Sequence, residues 1–243
     1  MAIRLKGKIA VVTGGTRGIG YCVAEALLDE GAKVYICGHD AGFLESALHG
    51  LRKKAGEAVD GSLADIRRYD ECRGMIRRAA ERYGGLDLLV NNAGIGIFKP
   101  VDQLSPEEWD ATIATNLSGV FYCCREAIPI MRARGGGYIF IISSLAGINA
   151  FPGGGAYNAS KFGLNGFSEA LMQEVRYDGI RVSYILPGSV DTDFAAPPGS
   201  KTRESWKLSP QDIAKAVVDL SLYPGSSLAS RIELRPSKPP RKT

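Results

Sequence analysis

Residues 8–31 read KIAVVTGGTRGIGYCVAEALLDEG, an apolar run of strand length, a glycine-rich turn and then a helical pattern, with no spacer between them. Glycines at a strand-to-helix junction permit a tight turn and let a ligand approach the backbone closely. The helix N-terminus behind them offers free N–H groups and the positive end of a dipole. Gly14, Thr16, Arg17, Gly18, Ile19 and Gly20 are therefore candidate contacts for the pyrophosphate of a dinucleotide. Their spacing is G-x-x-x-G-x-G, not G-x-G-x-x-G. A glycine turn by itself is often only a turn, so the flanking strand and helix carry the argument.

The same alternation continues along the chain. Residues 33–37, 86–90, 138–143 and 181–186 are short apolar runs, with weaker ones at 57–63 and 231–235. Helical patterns cover 18–30, 41–54, 67–83, 105–133, 156–178 and 210–222. Apolar runs alternating with amphipathic segments predict a parallel sheet with crossover helices, a single α/β domain over residues 1–235. The remainder, 236–243, reads as a basic, proline-containing solvated tail.

Composition closes off several classes. The net charge of +4 comes from 30 basic and 26 acidic residues. They are spread along the chain, which argues against a nucleic-acid partner. Five cysteines show no metal-ligand spacing, and their odd number predicts reduced core thiols. No segment approaches the ~20 apolar residues of a membrane span, and the N-terminal apolar run leads straight into the glycine loop. A cytoplasmic protein without a membrane partner is expected.

Past the second strand stands Gly38, where NAD sites place a carboxylate for the ribose 2′-hydroxyl. A glycine there leaves room for a 2′-phosphate, which Arg17 and His39 would contact. NADP(H) is therefore the favoured cofactor and NAD(H) the alternative. Asp40 is the objection, because its carboxylate could swing back to the ribose.

Near the middle of the chain lies YNASK at 157–161, a tyrosine and a lysine one helical turn apart on one face. An ammonium beside a phenol stabilises the phenolate and lowers its pKa. Alone, such a pair is commonplace. Here it joins TGGTRGIG at 13–20, NNAG at 91–94, TNLSGVF at 115–121, IISSLAG at 141–147 and PGSVDT at 187–192.

In that order, these motifs make the whole chain resemble the short-chain dehydrogenase/reductase family. Their spacings are most similar to those of bacterial 3-oxoacyl-carrier-protein reductases. The resemblance implies a Rossmann-type doubly wound parallel sheet of about seven strands in the order 3-2-1-4-5-6-7. It implies an oxidoreductase that reduces a ketone or aldehyde with NADPH. The alternatives are an NAD-dependent alcohol or sugar dehydrogenase and a non-catalytic NADP(H) sensor.

The resemblance also assigns roles. Tyr157 would be the proton donor, and Lys161 would lower its pKa and hold the nicotinamide ribose. Ser144, with Ser143 as neighbouring rival, would orient the substrate oxygen, and Asn116 would fix a water linking Lys161 to solvent. Asp65 and Ile66 would border the adenine, and Asn92, Ala93 and Gly94 the adenosine ribose. Pro187, Gly188, Val190 and Thr192 would hold the carboxamide. Bland readings stand beside these: Asp65 as the cap of a helix near Arg67, Asn116 as a kink residue, Thr192 as a turn hydroxyl, His39 as a surface histidine. Two departures are visible, about eighteen residues between Thr192 and Pro210 where many relatives carry a longer lid, and a last strand without the ending V-D-G-G. The first predicts an open site. The second weakens the expected homodimer or homotetramer.

Overall fold

A computed structural model of the chain describes residues 4–194 and 204–240. Seven parallel strands form one sheet in the order β3-β2-β1-β4-β5-β6-β7, as the resemblance implied. They are β1 (Ile9–Thr13), β2 (Lys33–Gly38), β3 (Val59–Leu63), β4 (Leu88–Asn91), β5 (Gly137–Ile142), β6 (Ile180–Pro187) and β7 (Arg231–Leu234). Between them run α1 (Gly18–Asp29), α2 (Ala41–Ala55), α3 (Tyr69–Tyr83), α4 (Pro106–Ile113), α5 (Gly119–Ala133), α6 (Gly155–Val175) and α7 (Pro210–Ser221).

Strand side chains alternate between two cores because the pleat sends neighbours to opposite faces. Ala10, Val12, Val34, Ile36 and Phe140 meet Val23 and Leu27 of α1, Leu44 of α2 and Val217 of α7. Val11, Tyr35, Ile139 and Ile141 meet Met75 of α3, Cys123 of α5 and Leu164 of α6. Burial on both faces explains why the inner strands read as unbroken apolar runs. The order reverses between β1 and β4, so the crevice for a ligand opens at their carboxyl ends.

Two boundaries differ from the sequence reading. The helix expected over 105–133 is broken by a π-helical turn at Ala114–Ser118. The hydroxyls of Thr112, just before it, and Thr115, within it, donate back to the carbonyls of Glu108 and Ala111 at 2.8 and 2.7 Å, a competition that loosens the helical ladder. The helix expected from 67 begins at Tyr69, because Asp65 closes a turn ahead of it by accepting from Arg67 N at 3.0 Å. The start of α4 matches its reading: Ser105 and Glu108 form a capping box with Pro106 in the first turn.

All five cysteines are free thiols, and Cys37, Cys72, Cys123 and Cys124 are buried. No described helix is long and apolar enough to cross a membrane. The tail does not begin cleanly at 236, because Pro236 Cδ lies 2.9 Å from where a Gly188 Cβ would stand.

Candidate active site

The β1–α1 loop is shaped by backbone contact. A Cβ on Gly20 would fall inside the contact radius of the Gly14 carbonyl oxygen, and one on Gly14 would stand 2.9 Å from Ala93 Cα. Thr13 ties this loop to the segment after β4, its hydroxyl accepting from Asn92 N and Ala93 N at 3.0 and 3.1 Å. The Asn92 amide in turn donates to the carbonyls of Thr13 and Gly14 at 3.0 and 3.1 Å. Asn92 thus acts as a strut holding the loop.

Helix α1 starts after Arg17 with no side-chain cap and no acidic residue in its first turn. Its leading N–H groups are left for a ligand or water. Gly18 has φ +56, and a Cβ there would be in ordinary contact with Thr192, 3.5 Å from its Cγ2. An uncapped helix start and a left-handed glycine beside Thr192 fit the phosphates and carboxamide of a dinucleotide. Val190 and its neighbours are held there by a bridge to Leu208, with Asp191 N donating to Leu208 O at 2.8 Å. Gly188 N donates to Leu234 O at 2.7 Å, fixing the Pro187–Gly188 turn to β7. Residues 195–203, which hold the middle of the expected short lid, lie outside the described residues.

Around the adenosine end, Gly38 needs to be glycine for a reason other than the one expected. A Cβ there would meet Thr16 Cγ2 at 2.6 Å, so the vacancy is filled by Thr16. Asp40, the residue that argued for NAD, caps α2 by accepting from Phe43 N at 2.9 Å. Arg17 lies over the Phe43 ring, 5.0 Å from its centroid, and His39 is exposed at the mouth. Asp65 is engaged by the Arg67 guanidinium at 2.6 and 2.9 Å, which holds its carboxyl below the usual range. Ile66 points into the core.

On α6, Tyr157 and Lys161 are 9% and 4% exposed, side chains turned toward the end of β5 and away from solvent. Lys161 Nζ donates to the Ile142 carbonyl at 2.9 Å and stands 5.8 Å from the Tyr157 ring centroid. The Ser144 hydroxyl faces Tyr157 and accepts from Ala146 N at 3.1 Å. Ser143, its rival, is turned the other way and donates to Asn165 Oδ1 at 2.6 Å.

Electrostatics here departs from the expectation that the lysine lowers the phenol pKa. Burial raises Tyr157 above its ordinary value, eased only by the Ser144 hydrogen bond. Burial also brings Lys161 down to about 8. Desolvation of each charged form sets the direction of both shifts.

Asn116 lies in the π turn, fully buried. Its amide donates to Ile95 O and Ser160 Oγ at 2.9 and 3.0 Å, while Ile95 N donates to its oxygen at 2.8 Å. Ser160 belongs to α6, so Asn116 pins the catalytic helix to the segment after β4. Gly94 lies beside it, where a Cβ would be 3.2 Å from Asn116 Oδ1.

Ser160 stands inside YNASK and was not singled out by sequence reasoning; its fixed place between Tyr157 and Lys161 was the available signal. Also missed were three phenylalanines around the tyrosine. Phe98 and Phe194 place their ring centroids 5.4 and 6.0 Å from that of Tyr157, and Phe151 lies 5.8 Å from Phe98. No local pattern joins residues so far apart in the chain.

The family model for short chain dehydrogenase matches residues 8–203. A 3-oxoacyl-[acyl-carrier-protein] reductase of Chlamydia muridarum is 35% identical over 237 residues, 94% of this chain and 95% of the relative. A 3alpha-hydroxysteroid dehydrogenase of Mediterraneibacter gnavus is 37% identical over 197 residues, 81% of this chain and 79% of the relative. Among solved structures, a metagenomic short-chain oxidoreductase in complex with NADP is 35% identical, with a TM-score of 0.84 over 97% of this chain and 100% of that one. An actinorhodin polyketide ketoreductase with NADPH is 31% identical, with a TM-score of 0.85 over 97% and 98%. By the family model's match to residues 8–203 and by relatives 35–37% identical over most of its length, the chain belongs to the short-chain dehydrogenase family of oxidoreductases.

Proposed function

We propose that the protein is an NADPH-dependent carbonyl reductase in which Tyr157 protonates the oxygen of a ketone or aldehyde. The observation that carries this reading is the buried Tyr157 hydroxyl, set against Ser144 and one turn from Lys161, beside the crevice that opens between β1 and β4. Bound on the loop, the reduced cofactor supplies the hydride.

Every other part is played by the chain's own groups. Gly14, Thr16, Gly18, Ile19 and Gly20 hold the pyrophosphate on the start of α1. Arg17 and His39 take the 2′-phosphate, a role left to them because Asp40 is engaged as a helix cap. Asp65 and the Ile66 backbone border the adenine, and Asn92, Ala93 and Gly94 line the adenosine ribose. Pro187, Gly188, Val190 and Thr192 receive the carboxamide. Two structural neighbours bound to NADP or NADPH support the phosphorylated cofactor over NAD(H).

Ser144 orients the carbonyl oxygen and stabilises charge developing on it. A phenol raised by burial stays protonated at neutral pH, which suits a donor in the reductive direction. Lys161, near 8, changes charge close to neutral pH and can return the proton to Tyr157. Asn116 acts as a positioning residue through Ser160. A 3-oxoacyl thioester is one candidate within this carbonyl class, suggested by the carrier-protein reductase relative. A homodimer or homotetramer belongs to the same proposal, with exposed Phe121 and Phe162 as apolar surface for it to bury.

The test is NADPH oxidation across ketones, aldehydes, quinones and acyl thioesters, with Tyr157→Phe as control. We expect turnover on at least one class and a loss of roughly 10²- to 10⁴-fold in kcat with NADPH binding retained. Full activity of the variant would refute the proton-donor role.

A further inference from the structure

Two phenylalanines from separate parts of the chain converge on Tyr157, and a third stands behind one of them. Phe98 lies edge-on to the tyrosine ring at 75°, and Phe194 approaches at 54°. These two rings also converge on one point. A Cβ on Gly96 would stand 2.8 Å from Phe98 Cζ and 2.9 Å from Phe194 Cε1. Phe151 extends the row beyond Phe98, tilted at 48°, and rests on Gly154, where a Cβ would meet its Cε2 at 2.7 Å.

Phe98, Phe151 and Phe194 are each 42–43% exposed, although they are large apolar groups beside a buried phenol. Half-exposed aromatic rings around a reactive hydroxyl mark a surface waiting for an apolar partner. The backbone holding Phe98 is anchored, because Lys99 N donates to Gly153 O at 2.9 Å just ahead of α6. The next charge in the chain is neutralised as well. Lys99 is engaged by Glu108 at 2.5 Å. With Asp102 and Glu107 in the same stretch, the described part of this rim does not favour an anion.

We propose that Phe98, Phe151 and Phe194 form a substrate-selecting wall, and that the carbonyl compound reduced here carries a neutral aryl or alicyclic group. This inference rests on the carbonyl-reductase reading and narrows it. The substrate's ring packs against the exposed faces of Phe98 and Phe194 while its carbonyl oxygen reaches the Tyr157 and Ser144 hydroxyls. A highly anionic coenzyme A thioester or a carrier-bound chain gains less from such a wall.

Benzylacetone and butanone test it, since the two carbonyls are alike and only the phenyl group differs. Acetoacetyl-coenzyme A is the anionic comparison. With the full chain and NADPH, kcat/KM for benzylacetone is expected to exceed that for butanone about tenfold or more, and that for acetoacetyl-coenzyme A as well. Phe98→Ala and Phe194→Ala should each lower the benzylacetone-to-butanone ratio roughly fivefold, chiefly through the KM of benzylacetone. Phe98→Leu should restore part of it, and Gly96→Ala should lower it by displacing both ring ends. Equal use of the two ketones, a preference for acetoacetyl-coenzyme A, or a ratio unmoved by the alanine variants would each overturn the wall.

Saturation-transfer NMR of benzylacetone on NADPH-loaded Tyr157→Phe protein separates the two claims. Binding that disappears on adding Phe98→Ala, with no ketone turned over by the wild type, keeps the wall and removes the reductase reading. Turnover of small ketones without benzylacetone binding does the opposite.

Discussion

The two ends of the site are built from different materials. At the β1–α1 junction the working surface is backbone, shaped by glycines at van der Waals contact and by an uncapped helix start. On α6 it consists of polar side chains driven below the surface, where Tyr157, Ser160 and Lys161 are all buried. The first arrangement asks only for the absence of atoms. The second carries a desolvation cost that hydrogen bonds to Ile142 O and Asn116 only partly offset. Substitutions at the loop should therefore damage the fold, whereas substitutions on α6 should damage the reaction and can relieve the fold.

The largest effect expected is at Gly20. Gly20→Ala forces a methyl against the Gly14 carbonyl and should cost about 3 kcal/mol, read as a lowered Tm along with loss of NADPH binding. If the variant melts like the wild type, the loop is not the rigid half of the comparison. Next come the paired serines. Ser144→Ala should lower kcat by roughly 10²-fold with little change in Tm. Ser143→Ala should do the reverse, keeping kcat and losing about 1 kcal/mol, because it strands Asn165 Oδ1.

Lys161→Met sharpens the contrast. A lysine lowered from 10.5 to about 8 in the folded state opposes folding while it is charged. Unfolded chain binds the extra proton between those values, so stability rises with pH across that window. The full penalty, roughly 3 kcal/mol, acts below pH 8. Allowing for the lost bond to Ile142 O, Lys161→Met should stabilise the protein by up to about 2 kcal/mol at neutral pH while abolishing turnover. In chemical denaturation that advantage should fade as pH rises toward 10.5. A smaller effect on the cofactor alone is expected for Arg17→Ala, which should raise the KM for NADPH about tenfold and leave that for NADH in place.

Much of the layout was legible because its causes are local. Apolar runs such as 8–13 and 33–37 had to be strands buried on both faces, and glycines between strand and helix had to be a turn. The π turn at Asn116 was not legible, since it depends on threonine hydroxyls competing for carbonyls and on an asparagine reaching across to Ile95. Gly38 was read as room for a phosphate, yet its near neighbour is Thr16, twenty-two positions earlier. Ser143 and Ser144 remained rivals in the sequence because adjacent residues leave the end of a strand in opposite directions, and which of them meets Tyr157 depends on where α6 packs.

By itself the amino-acid order determined the alternation of strands and helices, the glycine turn and the one-turn separation of Tyr157 from Lys161, because each follows from periodicity or from steric limits on one residue. Tertiary structure decided the burial that raises the phenol and lowers the amine, the tie from Asn116 to Ser160, and the meeting of Phe98 and Phe194 at Tyr157 with Phe151 behind Phe98. Desolvation and ring contact depend on neighbours brought from distant parts of the chain, and no local pattern encodes who those neighbours are.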